Sequence, residues 1–141
     1  MAEDPKALTR RFYAEVSAGN VAVVDELLAD DFAEHEELPG GLPRSREGVR
    51  QLFTMIRSAF PDCRMEPHEV LEDGDLVCAR VTLTGTHEGD FAGIPPTGKR
   101  IEVQMIDILR VRDGKATEHW GTIDEMALMR QLGVIPDEPP A

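Results

Sequence analysis

The chain has 141 residues, a length that suits one domain able to bury roughly two-thirds of its unfolded surface and to enclose a small-ligand cavity. Its 27 acidic and 15 basic side chains give a formal net charge of −12, and with no basic stripe this argues against nucleic acid or an anionic membrane surface as a partner. The N-terminal MAEDPKALTRRF has no apolar run of signal-peptide length, no window approaches the ~20 residues of a membrane span, and the two cysteines, Cys63 and Cys78, fit a reducing cytoplasm.

Asp4 followed by Pro5 is a helix start, an N-cap residue and then proline in the first turn. Leu8, Phe12 and Val16 recur at i, i+4 and i+8, which predicts one apolar stripe on a helix from about Pro5 to Ala18, stopped by Gly19. Asn20 is placed to cap a second, short helix with Val21, Val24, Leu27 and Leu28 inward and Asp30-Asp31 at its end. Phe32-Ala33-Glu34-His35 reads as a short strand. His35 is a candidate site group, against the plainer alternative of a surface histidine among acidic neighbours. Leu38 to Arg44 holds two glycines and two prolines and is a loop. Ser45 opens a third helix, on which Val49, Leu52, Phe53 and Ile56 form the best amphipathic pattern in the chain, and Pro61 ends it.

A hairpin follows, turning at Asp73-Gly74. With a three-residue loop, Leu71 pairs with Asp75, and Cys63, Met65 and Pro67 join Val77, Ala79, Val81 and Leu83 on one apolar face, leaving His68 and Cys78 on the other. Gly85 to Gly98, GTHEGDFAGIPPTG, breaks the strand pattern without forming a phosphate-binding motif. It reads as an ordered excursion at a pocket mouth, from which His87 and Phe91 reach toward a cavity; a merely structural loop is the alternative.

The stretch Ile101 to Gly133 carries the main lead: two strands joined at Asp113-Gly114, then a short helix capped by Asp124 and ended by Gly133. Two registers are open. A two-residue type I′ loop sets Asp107 opposite Trp120 but requires positive φ at both loop positions. A three-residue loop needs only Gly114 left-handed and sets Asp107 opposite His119. The second segregates the side chains better: Ile101, Val103, Met105, Leu109 and Val111 share a face with Thr117, Gly121 and Ile123, interrupted only by Asp107 and His119. A carboxylate and an imidazole paired in an apolar wall are the parts of an oriented acid–base group, or else a satisfied buried polar pair with no chemical role. The tail, 134–141, is proline-rich and expected to be loose. Four scattered histidines without close spacing give no metal-ligand pattern.

The order helix, helix, helix, hairpin, glycine-proline excursion, hairpin resembles the cone of the nuclear-transport-factor-2-like superfamily. Within it, Asp31-Phe32 with His35, Phe60-Pro61-Asp62, Gly85-Thr86-His87 with Gly89, Gly93-Ile94-Pro95-Pro96-Thr97-Gly98, Glu118-His119-Trp120 and Gln131-Leu132-Gly133 resemble the SnoaL-like polyketide cyclases. The resemblance implies an α+β fold in a single domain (1–141, core about 5–133): a curved antiparallel sheet packed on three N-terminal helices, with a short C-terminal helix. It also implies a pocket between sheet and helices, no cofactor, and a homodimer through the sheet face, where Trp120, Ile106 and Ile108 stand among polar residues. Cyclases of this kind close a ring on a polyketide ester by intramolecular aldol condensation. They share the histidine at 119, but carry an essential aspartate where this chain has Gly121 and a histidine where it has Asp107.

The expectation is therefore a cofactor-independent acid–base enzyme, cyclase-like or isomerase-like, acting on a hydrophobic carbonyl compound. Its catalytic pair is His119 and Asp107, with a neutral imidazole of reference pKa ~6.5 as the base. His35, His87, Phe12, Phe53, Met105, Gly121 and Phe91 are expected around the pocket, with Gly121 leaving room for the substrate. The alternative is a non-catalytic dimer that binds a small hydrophobic molecule in the same cavity.

Overall fold

The computed structural model describes residues 4–136. The expected signal-free N-terminus and loose tail fall partly outside these, at 1–3 and 137–141. Helix α1 spans Pro5–Ser17; the Asp4 side chain accepts a hydrogen bond from the Ala7 N–H, and Pro5 starts the first turn. Helix α2 is only Val23–Leu27 and has no side-chain cap. Asn20 instead donates to Glu15 Oε2 at 2.6 Å. Asp30 and Asp31 do not end that helix but lie within strand β1, Leu28–Glu34. Helix α3, Arg46–Ala59, is capped by Ser45. Its last carbonyl is met from outside the helix: the N–H groups of Glu88 and Gly89 both donate to Ala59 O, at 2.9 and 3.0 Å, which ties the excursion to the helix end.

Strands β2 (Arg64–Asp73), β3 (Leu76–Thr86), β4 (Arg100–Arg112) and β5 (Lys115–Ile123) form two hairpins, and helix α4, Glu125–Leu132, closes the chain. The sheet order is β1-β5-β4-β3-β2, all neighbours antiparallel except β1, which runs parallel to β5. The expected all-antiparallel sheet is thus a mixed one. No tight turn joins β1 to β5, and the long stretch between them lets the chain return in the same direction.

Both hairpins turn through two residues, not three. At the first, Asp73 pairs with Leu76 around Gly74, whose φ is 61°. At the second, Arg112 pairs with Lys115, and Asp113 and Gly114 take φ of 54° and 76°, the type I′ geometry. A two-residue turn alone would have mixed the faces. Bulges repair this. In β5, Arg110 pairs with Glu118 while Val111 pairs with Ala116, so Thr117 is the extra residue. Fully buried Ala116 takes the inward place expected for Thr117, and from Glu118 onward the strand is back in phase. In β2 the irregularity falls between Pro67 and Val70. The apolar face is the expected one: Cys63, Met65, Val77, Ala79, Val81, Leu83, Ile101 and Val103 are buried together with Leu8, Phe12 and Val16 of α1. Both cysteines are free, Cys63 in the core and Cys78 half-buried on the opposite face.

Candidate active site

Asp107 lies directly opposite Gly121, not His119, whose own partner across the ladder is Leu109. The pair nonetheless forms, because residues two apart on a strand share a face and the diagonal is within reach of long side chains. His119 Nε2 sits 2.8 Å from Asp107 Oδ1. Gly121 makes this possible: a β-carbon there would lie 2.7 Å from Asp107 Oδ1 and 2.8 Å from His119 Nε2. The gap at Gly121 is therefore filled by the pair itself rather than left open to substrate.

Two further groups complete the arrangement. Tyr13, on α1, donates its hydroxyl to Asp107 Oδ2 at 2.5 Å. Glu34, the last residue of β1 and paired with His119 along the parallel edge, takes His119 Nδ1 at 2.6 Å. The Glu36 N–H also donates to Glu34 Oε1, at 3.0 Å. A continuous chain results, Tyr13–Asp107–His119–Glu34, anchored on α1, β4, β5 and β1. Glu34 and Asp107 are 5% and 8% exposed.

The geometry fixes the charge on the imidazole. Carboxylates only accept hydrogen bonds, so a ring held between two of them carries a proton on each nitrogen. Burial alone pulls the His119 pKa down, but the hydrogen bonds to Asp107 and Glu34, and then their charges, outweigh it and raise it from 6.5 to about 10. At neutral pH His119 is an imidazolium, and the expected role of neutral base is not open to it. Burial first, then the charge and hydrogen bond of Asp107, push the Tyr13 phenol well above 10, so it stays a neutral donor.

This chain of groups forms part of the wall of a cavity of about 600 Å³ between the sheet and the helices, a volume suited to a drug-sized ligand. Phe12, Phe53, Met105 and Phe91 line it as expected, with Leu8 and Val49. Among the described residues, its lining carries the carboxylates Glu34, Glu36, Glu37, Asp107 and Glu125 and no lysine or arginine. Two expected pocket histidines lie elsewhere. His35 follows inward-facing Glu34, so the alternation of the strand turns it outward, where it stacks on Trp120 at 4.8 Å and meets Glu118 at 2.9 Å. His87 is fully buried at the foot of the excursion: its Nδ1 accepts the Thr97 N–H at 3.2 Å, and its ring lies against Phe60. It anchors the loop and does not reach the cavity.

The sequence profile of the SnoaL-like polyketide cyclases matches residues 7–132. The chain belongs to the SnoaL-like polyketide cyclase family. It is 30% identical over 118 residues to the nogalonic acid methyl ester cyclase of Streptomyces nogalater, covering 83% of this chain and 88% of that one. It is 34% identical over 114 residues to the aklanonic acid methyl ester cyclase DnrD of Streptomyces peucetius, covering 74% and 79%. Among solved structures, IdmH of Streptomyces antibioticus superposes with a TM-score of 0.80 at 34% identity, over 93% of this chain and 99% of that one.

Seen as a SnoaL-like protein, the chain exchanges two groups that face each other. The positions where the resemblance calls for histidine and aspartate are 107 and 121, which are direct cross-strand partners. Here the acid has moved to 107 and a glycine stands opposite. The carboxylate is kept, but on the other strand, and the imidazole is supplied diagonally by His119.

Tyr13, Glu34 and Glu36 were not foreseen. Tyr13 follows Thr9 by one helical turn on a buried edge beside the Leu8–Phe12–Val16 stripe, and a wider stripe would have included it. Phe32 inward on β1 implies Glu34 inward two residues on, the signal that was available for it. Glu34, Glu36 and His119 each offer a ligand atom within 4.8 Å of the others. The cation that this cluster holds is the imidazolium, whose two nitrogens are both engaged, so a metal would have to displace its protons.

Proposed function

We propose that the protein is a cofactor-independent cyclase that closes a ring on a hydrophobic polyketide ester by intramolecular aldol condensation. The observation that carries this reading is the Tyr13–Asp107–His119–Glu34 chain set in the wall of an apolar cavity. The reaction needs a proton taken from carbon and a proton given to the oxygen of the attacked ketone, and no other chemistry. The clamped imidazolium keeps its protons at the wall at neutral pH, the polarity that a developing alkoxide requires, while the Tyr13 phenol stays a neutral donor to Asp107. Membership of the family and the ester substrates in the names of its cyclase relatives support the substrate class. The one cationic group on the lining among the described residues, His119, is already held by two carboxylates, and the remaining acidic side chains suit an uncharged ester better than a free carboxylate.

The test is to incubate the purified protein with aklanonic acid methyl ester and look for a ring-closed isomer of the same mass. Wild-type protein should form it, and His119→Gln should lose at least about 100-fold in kcat. Tight binding of the ester with no product would instead make this a binding module.

We further infer that two copies associate through the outer sheet face in the cytoplasm. Ile106 is 40% exposed there, beside half-buried Ile108 and Trp120, and the two free thiols fit a reducing compartment. A formal charge of −12 on each copy opposes association, so the dimer should tighten with salt. Sedimentation at micromolar concentration should give twice the chain mass, and Ile106→Glu should shift it to the monomer. A wild-type monomer at every salt concentration would refute the dimer.

A further inference from the structure

The exchange at positions 107 and 121 leaves the acid–base chemistry without an obvious group to take the first proton. His119 is already doubly protonated between two carboxylates. Asp107 spends Oδ1 on His119 and Oδ2 on Tyr13. Glu34 is almost fully buried and holds both the imidazolium and the Glu36 N–H on one oxygen. Glu37 and Glu125 line the cavity only at its exposed rim.

Glu36 differs from all of these. It is half-buried and lines the cavity, and among the described residues its carboxylate makes no hydrogen bond. One of its oxygens lies in the 4.8 Å cluster with the Glu34 carboxylate and a His119 ring nitrogen. Its place is fixed by the backbone: the His35 N–H donates to His119 O at 2.9 Å, and the Glu36 N–H to Glu34 Oε1. This pins the end of β1 to β5, with residues 34 and 36 inward and 35 outward.

We propose that Glu36 is the catalytic base, taking the acidic C–H proton that the aspartate of other cyclases would take at position 121. This rests on the cyclase reading. The Glu36 carboxylate removes the proton from a carbon flanked by two carbonyls, and the C–H electron pair becomes the enolate. The enolate carbon bonds to the ketone carbon, whose C=O π pair moves onto oxygen, and that alkoxide takes a proton held by the Tyr13–Asp107–His119 wall. The proton on Glu36 then restores the wall through Glu34 or water. Product and substrate are isomers, and no co-reactant is consumed. Burial raises the Glu36 carboxyl above its usual value of 4.5, against the pull of His119 and with smaller pushes from Asp107, Glu34 and Glu125, which makes it a stronger base than a surface glutamate.

The experiment uses the full chain, aklanonic acid methyl ester as probe, and the variants Glu36→Gln, Glu36→Asp and Glu36→Ala. Glu36→Gln should bind the probe within threefold of wild type and lose at least about 100-fold in kcat, with Glu36→Asp between the two. Glu36→Ala should regain rate on addition of formate, which a packing role would not produce, and which keeps the idea testable should Glu36→Gln fold poorly. Wild-type turnover with Glu36→Gln within threefold of it, or no formate rescue in a folded Glu36→Ala, would overturn the role of Glu36 alone. A wild-type rate abolished by EDTA and restored by zinc would also overturn it, making Glu36 a ligand. No wild-type turnover would overturn it together with the cyclase reading.

Discussion

A β-carbon at position 121 would sit within 2.8 Å of both Asp107 Oδ1 and His119 Nε2, closer than van der Waals contact allows. Gly121→Ala should therefore part the pair, and the imidazolium would lose one of the two carboxylates that hold it. The pKa of His119, followed by NMR, should fall from about 10 back toward 6.5. An unchanged value would mean that Asp107 contributes little. Gly121→Asp brings a second carboxylate directly opposite Asp107 as well, so it should be worse than Gly121→Ala. Adding Asp107→His to Gly121→Asp rebuilds the arrangement that the resemblance describes, and the double variant should recover activity that Gly121→Asp alone lacks. The contact between positions 107 and 121 makes such non-additivity expected. Tyr13→Phe is milder. It leaves one Asp107 oxygen unsatisfied in the core and should cost about 1–3 kcal/mol in denaturant unfolding.

Hairpin β4–β5 decides which of these side chains meet. The inward face was legible because Ile101, Val103, Leu109 and Val111 alternate on β4, and a slip of one residue would have thrown them all outward. The length of the turn was not legible. Asp113-Gly114 is a favoured pair for a two-residue type I′ turn, but the segregation of the faces pointed to a three-residue loop, and the bulge at Thr117 that reconciles the two carries no glycine or proline to mark it. Two local misreadings, one in the loop and one in the strand, left the face of His119 unchanged. Glu34 was hidden for a different reason: a strand at the sheet edge, joined to its partner in parallel from far away in sequence, leaves no local pairing signal. The turn yields its own prediction. Asp113→Val puts a β-branched side chain at a φ of 54° and should cost about 1–3 kcal/mol, whereas Asp113→Asn should be neutral or stabilising. Equal melting of the two variants would contradict the type I′ assignment.

The clamped imidazolium also ties the stability of the whole domain to pH. In the unfolded chain His119 titrates near ~6.5, while in the fold it holds its proton to about 10. Below ~6.5 both states are protonated, and the stabilisation is present in full. Between ~6.5 and 10 the folded state binds more protons than the unfolded one, so stability falls as pH rises, and the contribution is gone above the folded value. Its size is at most a few kcal/mol, because burying one cation between two carboxylates carries its own desolvation cost. Tyr13 acts in a separate window. Its folded pKa lies well above 10, so the unfolded phenol ionises first and adds a further loss only beyond pH 10. Burial raises the Glu36 carboxyl above its usual 4.5, so its own loss of stability begins at the acidic end as pH rises. Denaturant unfolding at pH 7.5, 8.5 and 9.5 should therefore show wild-type stability declining steadily, with His119→Gln declining much less over the same range. High salt should change this slope little, because the ion pairs are buried and weakly screened. Parallel slopes in wild type and His119→Gln would mean that His119 is not held as a cation, and the proton assigned to the cavity wall would have no source.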